Sequence, residues 1–115
     1  MGRTAQSIGA QAESRAAEYL ARRGLRLMHR NFRCRGGEID LILRDGEMVV
    51  FVEVRARAAA GFGGAAESIT AAKRARIVLA ARHYLARFGL DAPCRFDAVL
   101  VDGGELSWIR NAFEA

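Results

Sequence analysis

The stretch Gly36-Gly37-Glu38-Ile39-Asp40-Leu41-Ile42-Leu43-Arg44-Asp45-Gly46-Glu47-Met48-Val49-Val50-Phe51-Val52-Glu53-Val54-Arg55-Ala56-Arg57 puts two acids where buried apolar side chains would be expected. Asp40 and Glu53 fall inside two adjacent strand-like runs, and Asp45-Gly46 between them is a strong two-residue hairpin signal. A loop at those residues predicts Leu43 opposite Met48, Leu41 opposite Val50 and Asp40 opposite Phe51. Glu53 then shares a face with Asp40, one diagonal step away. Two carboxylates so placed repel each other and lose hydration unless something positive lies between them. Magnesium or manganese suits the position, because such hard ions take one or two carboxylates and leave other positions to water or phosphate oxygens. The chemistry implied is that of a phosphodiester.

The rest of the chain fits a small basic protein. Its 115 residues are enough for one domain, residues 1–115, with a real core. Eighteen Lys and Arg against thirteen Asp and Glu give a formal charge of +5, which favours a polyanionic partner, nucleic acid. No apolar run approaches the roughly 20 residues that span a bilayer, and Met1 to Ser14 lack the apolar stretch of a signal peptide. No membrane role is expected. Cys34 and Cys94 have no metal-type spacing and read as reduced thiols of a cytoplasmic protein.

From Thr4 to Arg23, Ile8, Ala12, Ala16, Tyr19 and Leu20 mark one face of an amphipathic helix that Gly24 closes. Glu13 lies at the margin of that face, where it can look into a cleft or stay solvated. Leu25 to Arg33 predicts a first strand, with Leu25, Leu27 and His29 on one face, followed by a basic turn to Gly37. Arg30, Arg33 and Arg35 crowd this corner as a phosphate-contact site, or one of them neutralises Glu38 or Asp40. Strands are predicted over 38–44 and 48–57. In the second, Val50, Val52 and Val54 face a helix-covered core while Phe51, Glu53 and Arg55 face the other way. A glycine-bearing loop, 58–66, suits a segment that closes on substrate.

Ser68 is expected to cap a second helix reaching Phe88, with Ile69, Ile77, Ala81, Tyr84, Leu85 and Phe88 as its buried stripe. Lys73, Arg74 and Arg76 cluster in its first half, which the helix dipole disfavours and a polyanion contact explains. Strands 95–101 and 105–109 follow, and the helix between strands three and four has the length of a parallel crossover. The sheet is therefore mixed. His29 and His83 read as structural, and Trp108 and Phe113 as cover for the sheet end.

Beyond these local readings, the chain resembles one family along most of its length. Glu13 with Ala16 and Tyr19-Leu20, Arg30-Asn31, Gly37 to Ile42, Val50 to Arg55 with Arg57, Ile69-Thr70 with Lys73-Arg74, Arg95-Phe96-Asp97 and Asn111-Ala112-Phe113 look like the YraN family of small bacterial proteins. That resemblance implies a restriction-endonuclease-like α/β core, a mixed sheet of about five strands flanked by helices, similar to archaeal Holliday junction resolvases. It implies DNA binding, self-association as a homodimer, and metal-dependent cleavage. Glu13, Asp40 and Glu53 become the acid and metal-holding set, with Arg55 as the fourth catalytic position. Arg30, Arg33, Arg35, Arg57, Lys73, Arg74 and Arg76 become the nucleic-acid contacts. Where the family usually has Lys, this chain has Arg55, a fixed charge and a poor proton acceptor. Lys73 could supply the missing ammonium if its helix face turns toward the site. The competing expectation is a non-catalytic DNA-binding or complex-forming module whose acids form salt bridges with Arg55 and Arg57.

Overall fold

The computed structural model describes residues 8–57 and 69–115, with the side chains of Ile8 and Arg57 left out. The elements are α1 (Ile8–Arg22), β1 (Arg26–Cys34), β2 (Gly37–Asp45), β3 (Met48–Arg57), α2 (Ala71–Arg87), β4 (Cys94–Asp102) and β5 (Glu105–Phe113). The five strands form one mixed sheet in sequence order. Only β3 and β4 run parallel, and α2 makes the crossover between them. This is an α/β fold compatible with a restriction-endonuclease-like core. The first seven residues, the 58–66 loop and the cap expected from Ser68 lie outside the described residues.

Strand alternation divides the core into two. Val50, Val52 and Val54 pack with Leu41, Leu43 and the α1 residues Ala12, Ala16 and Leu20. Phe51 lies on the other face, with Ile77, Ala81 and Tyr84 of α2 and with Phe96 of β4. One helix thus covers each face of the sheet. Gly37 sets how closely α2 can approach, because a Cβ there would overlap the Arg76 carbonyl oxygen. Thr70 caps α2, its hydroxyl accepting from the Lys73 amide at 3.2 Å.

Several local expectations are corrected. The hairpin loop is Gly46-Glu47, with Gly46 at φ 63 and Asp45 paired to Met48. The register is therefore two residues from the one expected, pairing Leu43 with Val50 and Leu41 with Val52. An even shift preserves faces, so the predicted inward set survives. Beside it, β1 bulges between Leu27 and His29. His29 is carried to the α2 side, against Phe32, Tyr84 and Phe88, while Leu27 is left exposed. Phe88 ends α2 half-exposed rather than buried, and β5 continues to Phe113, which stacks on Phe96.

Candidate functional site

Strand β2 loses its alternation at Asp40. Ile39 packs on the α2 side whereas Leu41, two residues on, packs on the α1 side. Across the ladder, the pairs Arg30 with Leu41 and Phe32 with Ile39 put Asn31 opposite Asp40, and Asn31 has φ 53. Asn is among the residues that adopt this left-handed backbone most readily, so β1 bends where β2 does. The β2–β3 ladder reaches Leu41 and Val52. Just beyond that pair the Asp40 carboxylate takes the place of a strand carbonyl, accepting from the Val54 amide at 2.8 Å.

Three acids meet at this parting of strands. Glu53 is buried and near enough to Asp40 for its charge to act there, while Glu13 on α1 adds its negative charge from the opposite face. The Asp40 carboxyl is pushed up to about 8, first by burial and next by the Glu53 charge. The Val54 N–H opposes that rise, and Glu13 adds to it. At neutral pH the acid pair therefore retains a proton. It is short of positive charge.

What positive charge it has comes from two side chains on one oxygen. Glu53 Oε2 accepts from Lys73 Nζ at 2.9 Å and from the Arg55 guanidinium at a long 3.5 Å. The face of α2 that carries Lys73 does turn toward the acids. A small cleft of about 40 Å³, enough for a water-sized body, opens beside Glu53 and is lined by Glu38, Lys73, Arg76 and Ile77. Among the described residues, no group of three or more His, Cys, Asp and Glu side chains is gathered tightly enough to hold a metal by itself. Asp40 and Glu53 would be the two carboxylates offered to a cation, with Glu13 acting through its charge. That set fits magnesium or manganese, which keep several waters, and not a site closed by protein ligands.

The expected basic contacts separate into groups. Arg30 donates to the Ser14 hydroxyl at 3.1 Å, joining β1 to α1. Arg33 lies 3.7 Å from Glu38, the neutralising role foreseen for that corner, and Arg35 is exposed. Lys73 is engaged by Glu53, and Arg74 donates to the Ile69 carbonyl at 3.0 Å. Arg76 is exposed at the cleft. The side chain of Arg57 lies outside the described residues.

Sequence reasoning missed three contributors. Glu38 lines the cleft, Gly37 seats α2, and Thr70 caps the turn that carries Lys73. Thr70 carried a readable signal, as a hydroxyl residue directly before the helical run that opens at Ala71. A close backbone approach such as that at Gly37 leaves none.

The other buried carboxylate, Asp97 on β4, is fully enclosed. It accepts from Arg95 Nε at 3.0 and 3.1 Å, Trp108 Nε1 at 3.0 Å and the Asn111 amide at 3.0 Å. Arg95 also reaches Asp45 at 3.2 Å. Trp108 thus serves Asp97, while Phe113 stacks on Phe96.

Residues 12–101 match the uncharacterised protein family UPF0102. A UPF0102 protein of Dechloromonas aromatica is 61% identical over 97% of this chain and 92% of its own length. One from Cupriavidus taiwanensis is 57% identical over 96% of this chain and 85% of its own. One from Nitrosomonas europaea is 55% identical over 96% of this chain and 97% of its own. Their names carry no activity. Among the described residues, no helix is long and apolar enough to cross a membrane, and Cys34 and Cys94 are free thiols.

Proposed function

The chain belongs to the uncharacterised protein family UPF0102, and from that premise we propose a nucleic-acid-binding protein of nuclease type, hydrolysing phosphodiester bonds in structured or branched DNA. One observation carries the reading: Asp40, whose carboxyl accepts from the Val54 amide at 2.8 Å, lies within reach of the charge of the buried Glu53, which Lys73 meets at 2.9 Å and Arg55 at 3.5 Å, and burial with that charge raises the Asp40 carboxyl. Burial beside a like-charged neighbour is the arrangement that perturbs carboxyls at functional sites. Asp40 and Glu53 would hold magnesium or manganese, and Glu13 would strengthen the negative field. When bound, the ion supplies Lewis-acid charge at a phosphoryl oxygen and makes water more acidic.

The chain's own groups do the rest. Arg55 presents a fixed guanidinium to the charge that develops on phosphorus-bound oxygens. Exposed Arg33, Arg35 and Arg76 draw in a sugar-phosphate chain, and Arg30, Arg57 and Arg74 extend that attraction. Such a substrate belongs to the cytoplasm, and a homodimer would offer two sites to a branched duplex.

Manganese binding by calorimetry, with cleavage of branched, single-stranded and duplex DNA, tests the proposal. Asp40→Ala and Glu53→Ala are each expected to lose binding and on the order of 100-fold or more in rate. Cleavage by both variants at the parent chain's rate would identify a contaminant. A second reading is favoured by the Arg55 and Lys73 contacts to Glu53: a DNA-binding module whose acids are satisfied internally. Steeply salt-dependent DNA binding without manganese affinity would select it.

A further inference from the structure

Lys73 is the only lysine in the sequence; the other seventeen basic residues are arginine. That single ammonium lies 2.9 Å from the buried acid of the candidate site. It occupies the first turn of α2, where the dipole disfavours a cation, so Glu53 rather than the helix stabilises it there. The Thr70 cap fixes that turn, and the Gly37 contact fixes α2 against β2. The root of the side chain is anchored while its tip remains on a flexible stem.

Arg55 and Lys73 meet on the same oxygen, Glu53 Oε2, and Lys73 makes the shorter contact. A divalent cation on that carboxylate would repel a neighbouring ammonium strongly at such range. The cleft beside Glu53, already lined by Lys73, gives the tip somewhere to go. Position 55 carries a guanidinium, so Lys73 is the one ammonium side chain that can reach this carboxylate.

We propose that Lys73 is the phosphate-contacting ammonium of this site, held on Glu53 until a divalent cation takes that carboxylate. The proposal rests on the metal-dependent reading above, and goes beyond it by naming an exchange and the residue released. No covalent step is involved. Lys73 becomes a catalytic residue only in the released position, where it can touch a phosphate oxygen.

The test uses the full chain and an amine-acylating reagent, with modification at Lys73 read by peptide mass spectrometry. Manganese chloride is expected to raise the Lys73 acylation rate about threefold or more as the carboxylate is withdrawn, and a four-way DNA junction to suppress it again. Lys73→Gln, checked for folding by circular dichroism, is expected to bind manganese about tenfold more tightly while losing manganese-dependent cleavage. Lys73→Arg keeps the charge and should bind manganese as the parent chain does. An unchanged acylation rate in a chain that binds manganese would overturn the exchange and leave the nuclease reading standing. Manganese binding by Lys73→Gln that is no tighter than the parent's would do the same. Release of Lys73 without any cleavage would support the exchange and remove hydrolysis. A parent chain with no manganese affinity would overturn both.

Discussion

Asp40 and Asp97 are aspartates on strands of one sheet, and the protein completes only one of them. Asp97 is enclosed and takes an arginine, an indole N–H and a backbone amide. Asp40 takes one amide and faces two other acids. Burial of a carboxylate costs several kcal/mol and is tolerated when partners offset it, as they do at Asp97. Where the partners fall short, the carboxyl keeps its proton, and the cost becomes a capacity to bind. The contrast separates a carboxylate satisfied by its neighbours from a carboxyl that its neighbours leave short of partners.

The strongest way to break this contrast is to delete each acid. Asp97→Ala leaves Arg95, only 11% exposed, with Asp45 alone and takes the acceptor from the Trp108 indole and the Asn111 amide, and should cost about 3–5 kcal/mol in urea denaturation. Asp40→Ala should leave stability at pH 7 nearly unchanged or raise it. Equal losses in the two variants would mean that both acids are structural.

A smaller effect sharpens it through pH. The Asp40 carboxyl titrates near 3.8 when unfolded and about 8 when folded, so the folded chain holds the extra proton. Its contribution is fully present below pH 4 and is lost as pH rises through 8. Each unit of that window is worth at most ~1.4 kcal/mol, and solvent reaching a half-buried carboxyl should leave about 2 kcal/mol overall. Asp40→Asn is therefore expected to be the more stable protein at pH 9 and to lose that advantage by pH 4, followed by thermal melting. The smallest expected effect is at the cap. Thr70→Ala should cost about 1 kcal/mol and loosen the turn that carries Lys73.

Much of this architecture is legible in the sequence. The two helices follow from apolar spacing, and the parallel crossover from the length between Arg57 and Cys94. The acids stand out because strand alternation predicts apolar residues in their places. The hairpin register is not decided by its turn residues, since Asp45-Gly46 and Gly46-Glu47 both offer a glycine, nor by which faces are apolar, since the two registers differ by an even shift. Because the shift is even, Asp40 and Glu53 are still correctly brought together. Asp97 had a local signal in Arg95, two residues earlier and thus on the same strand face, yet only packing reveals that Trp108 and Asn111 complete its shell. The close seat of α2 on Gly37 is a tertiary fact with no periodic trace.

Asp40 and Glu53 belong to a single β-hairpin, whereas the Asp97 network must wait for the whole β3–α2–β4 crossover and the return of β5. Repulsion between the first pair is therefore met as soon as two neighbouring segments zip together, and the second set of bonds only when distant parts of the chain dock. Raising the pH should consequently slow refolding, while damage at Asp97 should mainly hasten unfolding. The order of assembly thus separates in time what the finished molecule holds side by side.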